Sequence, residues 1–129
     1  MSKQQGKIII APDLNVWPHE LKTAEALACA GYTVEFIRRS EEQRAKSADV
    51  LINGIIWEMK APRADNLKAI ERNLKRARWQ SENIIFDCRR MKKLPEKAIE
   101  REVEKQAFTI ARINRLILIT KRGIIIDIK

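Results

Sequence analysis

Two residues, Asn53-Gly54, constrain this chain more than any others. They separate the apolar runs Val50-Leu51-Ile52 and Ile55-Ile56-Trp57. Both accept the positive φ of a type I′ turn, the tight reversal that matches the twist of paired strands. With a two-residue loop the register follows by counting outward: Ile52 faces Ile55, Leu51 faces Ile56, Val50 faces Trp57, and Asp49 faces Glu58. Opposed side chains leave the same face with Cβ atoms about 4.5–5.5 Å apart, and like charges so placed destabilise the pair. Lys60, two residues past Glu58, emerges on that face as well. A divalent cation is the natural compensation for two carboxylates held side by side. The second strand is apolar on both faces, with Ile56 on one and Ile55, Trp57 and Met59 on the other. That pattern marks a central strand covered on both sides.

Around the hairpin the chain alternates strands and helices. Lys7–Ile10 reads as a short strand, and Pro18 opens a helix over 19–30 that Gly31 ends. Leu21, Ala24, Leu27 and Ala28 form its apolar stripe, Glu20 leans toward that stripe, and Glu25 points elsewhere. Tyr32–Ile37 is a strand and 38–47 a polar connection. Beyond the hairpin Pro62 breaks the strand, and Asp65 or Asn66 caps a helix running to about Ser81. Leu67, Ile70, Leu74 and Ala77 face inward, while Asn73, Ala77 and Gln80 share one edge and aim an amide toward the sheet. Asn83–Asp87 is a strand, Pro95 starts a helix to about Asn114, and Leu116–Thr120 with Gly123–Ile128 closes the chain as a hairpin. The fold class is therefore α/β, a mixed central sheet flanked by helices, in one domain over 1–129.

Charge narrows the partners. Of 129 residues, 26 are Lys or Arg against 17 Asp or Glu, a net charge of +9, which favours a polyanion. The second helix carries Lys68, Arg72, Lys75, Arg76 and Arg78 outward against Glu71 alone. Arg89, Arg90, Lys92 and Lys93 make a second basic cluster. Either is a phosphate-contacting surface or a solvated face. Cys29 and Cys88 have neither CxxC spacing nor the number for a disulfide framework, and read as buried thiols. No apolar run approaches the roughly 18 residues that span a bilayer, so no membrane anchor is expected. No signal peptide is evident either, and export requires a larger parent chain or a dedicated route. His19, the one histidine, excludes a two-histidine ribonuclease mechanism. It projects from the apolar stripe toward the surface, within possible reach of a substrate phosphate.

Hard cations such as Mg²⁺ and Mn²⁺ take carboxylate, water and phosphate oxygens, and Zn²⁺ is less favoured by an oxygen-only set. Asp49 and Glu58 supply two such ligands and the Met59 backbone carbonyl a third. An ion there activates water and polarises a scissile phosphate. Lys60 is placed to orient the water or balance charge on the phosphorane. Glu20 is a candidate to hold a second metal, a water or Lys60 itself, and Gln80 to steer the water or a phosphate oxygen. The alternative is a surface salt bridge of Glu58 with Lys60 or a nearby arginine.

The stretch D-V-L-I-N-G-I-I-W-E-M-K resembles the core of the PD-(D/E)XK nuclease superfamily. With His19–Phe36 before it and Arg72–Asp87 after it, the chain is similar to the C-terminal nuclease domains of CdiA-type contact-dependent growth inhibition toxins. The resemblance implies a PD-(D/E)XK-like sandwich and metal-dependent cleavage of RNA, tRNA above all, or of DNA in some members. It makes Asp49 and Glu58 metal ligands, Lys60 the catalytic lysine, Glu20 the first-helix acid and Gln80 a recurring helix glutamine. It also implies a cognate immunity protein and a cytoplasmic site of action reached as part of a secreted toxin. The sequence has its own Met start and shows no delivery region, which reads as an excised domain or a stand-alone relative. The competing readings are a DNA endonuclease from a phage or mobile element and a non-catalytic basic nucleic-acid-binding module.

Overall fold

The computed structural model describes residues 5–37 and 48–129; the polar connection expected over 38–47 lies outside them. Seven strands form one curled mixed sheet in chain order: β1 (Ile8–Ile9), β2 (Val34–Phe36), β3 (Ala48–Ile52), β4 (Ile55–Lys60), β5 (Asn83–Asp87), β6 (Arg115–Ile119) and β7 (Ile125–Asp127). Between them run α1 (Pro18–Cys29), α2 (Leu67–Ala77) and α3 (Glu96–Thr109). The pairs β1–β2, β4–β5 and β5–β6 are parallel, each crossed by one helix, and the remaining pairs are antiparallel. The element order and the mixed sheet are those the sequence predicts.

The turn behaves as its residues dictate. Asn53 has φ 54° and Gly54 φ 78°, and the register Asp49↔Glu58, Val50↔Trp57, Leu51↔Ile56, Ile52↔Ile55 is the one obtained by counting. β4 lies between β3 and β5, the central position expected of it, but Ile56, the one apolar residue on its second face, is exposed, so that face is covered over Glu58 and Lys60 and not at the turn end.

Each face of the sheet has its own core. Ala24 and Leu27 of α1 pack on Val34, Phe36, Val50, Trp57, Met59, Ile85 and Ile117. Ile70 and Leu74 of α2 with Ile99 and Val103 of α3 cover Ile84, Phe86, Leu116 and Leu118 on the opposite face. Because successive strand residues alternate, Glu58 and Lys60, in register with Ile84 and Phe86, belong to the α2–α3 face.

Several element ends differ from expectation for identifiable reasons. Asn66, not Asp65, caps α2: its Oδ1 accepts the Ala69 amide at 2.8 Å. Asp65 instead accepts the backbone amides of Lys93 and Leu94 and ties down the basic loop. The helix stops at Ala77 rather than near Ser81, and Ser81 Oγ and Asn83 Nδ2 bond the Ile56 carbonyl to lead the chain into β5. α3 stops at Thr109 because Ile110 turns extended, ψ 100°, and drops its side chain into the core. On α1 the inner face is rotated: Leu21 is exposed and Thr23 is buried in its place. Asn73 does not reach the sheet, since its amide donates to Ala69 O of its own helix at 2.7 Å. Cys29 is exposed rather than buried, whereas Cys88 is buried and burial pushes its thiol up to about 11.

Candidate active site

Parallel strands place their carboxyl ends together, and such ends are where α/β sheets form clefts. Here β4 ends at Lys60 and β5 at Asp87, while antiparallel β3 begins at the same end. The first turns of α1, α2 and α3 return to that end by topology.

Three charged side chains meet on the hairpin. Asp49 is 6% exposed, Glu58 0% and Lys60 8%. Asp49 faces Glu58 across the strand pair, and Lys60 Nζ stands 3.6 Å from Glu58 Oε2. Charged groups are rarely buried unless paired, because desolvation costs several kcal/mol or more per ion, of order 20 in the continuum limit. Two acids and one ammonium carry a net charge of −1 among them. Among the described residues no three His, Cys, Asp or Glu side chains cluster as a closed metal cage. The donor set nonetheless suits a hard ion, which uses one or two carboxylates and completes its shell with water and phosphate. Met59, between Glu58 and Lys60, has its backbone in register with Ala48 and Ile85 and its side chain buried on the α1 face.

The register does not fix the other two candidates. Glu20 stands in the first turn of α1, at the same end of the sheet, where its Oε1 accepts the Trp17 amide at 2.9 Å. Gln80 lies past the far end of α2, in the turn before β5. The basic residues divide as well. Lys68, Arg72, Lys75 and Arg76 are exposed along α2, with Lys75 2.9 Å from Glu71. Arg78 instead stacks on Trp79, 4.8 Å from the ring centroid, and Arg112 approaches the same ring at 5.1 Å. Lys92 and Lys93 are exposed, whereas Arg89 is engaged with Asp87 and Arg90 with the Ala61 carbonyl.

Sequence reasoning missed Asp87 and Thr23. Asp87, 3% exposed, accepts the Thr23 hydroxyl at 2.7 Å and Arg89 Nη2 at 2.7 Å on Oδ2, and Arg89 Nε at 3.0 Å on Oδ1. A threonine on the inner face of an apolar stripe was the available signal, because a buried hydroxyl needs a partner.

Fold and site together define a mixed α/β domain whose central hairpin buries an acid pair beside a lysine. The family model for the contact-dependent growth inhibition CdiA C-terminal domain matches residues 46–125, and the chain belongs to that family. Among solved structures it is similar to a chain of the CdiA-CT/CdiI toxin and immunity complex from Burkholderia pseudomallei. The identity is 24%, the TM-score 0.70, and the match covers 96% of this chain and 99% of that one. At that identity the likeness speaks for the fold. No curated protein matches the chain, and no described helix is long and apolar enough to cross a membrane.

Proposed function

We propose that this protein is a metal-dependent endonuclease of the PD-(D/E)XK type that cleaves RNA, with tRNA the favoured substrate, and acts as a toxin domain in the target cytoplasm after delivery with a secreted parent. The observation that carries this reading is the buried Asp49–Glu58 pair with the Lys60 ammonium 3.6 Å from Glu58. Charged groups buried together at the end of a sheet are costly for stability alone, which makes them candidates for chemistry.

In this reading Asp49 and Glu58 hold Mg²⁺ or Mn²⁺, with the Met59 carbonyl as a further donor. The ion, when bound, supplies Lewis acidity toward the scissile phosphate and the attacking water. Lys60 presents N–H donors to a non-bridging oxygen, where negative charge grows in the transition state. Glu58 orients that ammonium through its 3.6 Å contact. Glu20, at the same end of the sheet, is the candidate to hold a water or Lys60. The exposed cations of α2 and of the loop after β5 supply attraction for the polyanion. The similar solved structure is a toxin–immunity complex, and by that likeness a cognate immunity protein is the expected protein partner.

Total tRNA and plasmid DNA, each incubated with Mg²⁺ or Mn²⁺, test the reading. Cleavage of tRNA is expected, and Asp49→Ala, Glu58→Ala and Lys60→Ala should each lower kcat by about 100-fold or more. Variants that cut as fast as the unaltered protein would remove the assigned site. Cleavage of plasmid alone moves the substrate to DNA. A folded protein that binds both and cuts neither is a binding module.

A further inference from the structure

Positive charge at the carboxyl end of β4 and β5 exceeds what its neighbours use. Asp87 is buried there and its carboxylate is fully engaged by the Thr23 hydroxyl and by the Arg89 backbone amide and guanidinium. Arg89 in turn gives Nη2 to the Lys22 carbonyl at 2.9 Å. Arg89 is thus a structural strut between β5 and α1.

Three further groups lie at the same end of the sheet. Arg90 donates Nη1 to the Ala61 carbonyl at 3.0 Å, which fixes its guanidinium beside the residue that follows Lys60. Arg63 is exposed in the loop leaving β4. His19 is half-buried in the first turn of α1, and its carbonyl accepts the Thr23 hydroxyl at 3.1 Å. These groups feel one another. Burial, then Arg90 and Arg63, hold the imidazole below its ordinary value, with Asp87 opposing them. Burial and then Arg63 lower Arg90 as well, again with Asp87 opposing. Two guanidinium groups on one rim repel in the absence of an anion and are relieved when one binds, and an imidazole beside them can take up a proton as it does. Guanidinium forks match phosphate oxygens in geometry as well as sign.

We propose that Arg63, Arg90 and His19 form a clamp for a backbone phosphate of the substrate strand, adjacent to the phosphate held at Asp49, Glu58 and Lys60. That the phosphate belongs to a nucleic acid rests on the endonuclease reading; that an anion binds here does not. The clamp sets which stretch of strand lies across Lys60, because Arg90 is tethered to the very next residue. These are positioning residues, and Arg89 acts only by bracing Asp87.

His19 is the sole histidine, so its imidazole resonances report this corner alone in the intact chain. Titrating inorganic phosphate at constant pH and ionic strength should shift them saturably. Arg63→Ala, a change at an exposed side chain, should weaken that response about fivefold or more, and Arg90→Lys should weaken it less. In tRNA cleavage Arg63→Ala and His19→Gln should raise KM about five- to tenfold with kcat within about twofold, opposite to Lys60→Ala. A resonance blind to phosphate, or an Arg63→Ala response equal to that of the unaltered protein, overturns the clamp. If phosphate moves His19 as described but no nucleic acid is cut, the endonuclease reading falls and the anion site stands.

Discussion

Asp87 shows how a single carboxylate can organise a corner of the molecule. Its hydrogen bonds from Thr23 and Arg89 join β5 to α1 across the face opposite the acid pair. Breaking a buried charge pair by removing one partner costs about 3–5 kcal/mol. Arg89 is 29% exposed, so water takes up part of that loss, and Asp87→Asn should cost about 2–3 kcal/mol of stability. Thr23→Val should cost about 1 kcal/mol, the worth of one buried hydroxyl bond. Urea unfolding measures both, and a loss under about 0.5 kcal/mol for Asp87→Asn would mean the fork is solvated. In the sequence Thr23 was visible only as a polar break in an apolar stripe. Its partner lies 64 residues away, a separation no local pattern encodes.

At the scale of the element, α2 has two unrelated faces. Inward, Ile70, Leu74 and Ala77 are fully buried, as their spacing requires, whereas Leu67, expected with them, is exposed at the first position of the helix. Outward, Lys68, Arg72 and Arg76 are exposed, while Lys75 is partly neutralised by Glu71 at i,i+4. Reversing Lys68, Arg72 and Arg76 to Glu should weaken nucleic-acid binding and flatten the plot of log K against log salt by about one unit per lost phosphate contact, with folding intact. Anisotropy with labelled tRNA over a salt series reads this directly. An unchanged slope would assign α2 to solvent and leave attraction to the loop after β5. The basic stripe was legible because helical periodicity sorts charges by face without tertiary information. The amide of Asn73 was misread for the opposite reason: a side chain on the edge of a helix can bond its own backbone four residues back, as it does here.

At the scale of the whole molecule, the sheet buries two acids and an ammonium close together. Desolvating such groups costs free energy, and a cation that binds only the folded chain adds stability by mass action. A ligand present at 100 times its Kd adds about 2.7 kcal/mol of stability. Mn²⁺ or Mg²⁺ at saturating concentration should therefore raise Tm by several degrees, and Glu58→Gln should abolish the rise. A Tm indifferent to both ions would separate the acid pair from metal binding, whatever the activity assays show.

The sequence by itself determined the hairpin register, the opposition of Asp49 and Glu58, the placement of Lys60 and the order of elements. These follow from alternation, turn chemistry and helical spacing, all of which act over a few residues. Only the tertiary structure decided that α1 meets β5 through Thr23 and Asp87, that Arg89 is a strut while Arg90 points at the end of β4, and that Arg63 and His19 share that corner. Each of those outcomes depends on which strand ends lie side by side after the parallel crossovers close. That is a property of the packed sheet, because the charges that sort themselves there come from segments that meet nowhere along the chain.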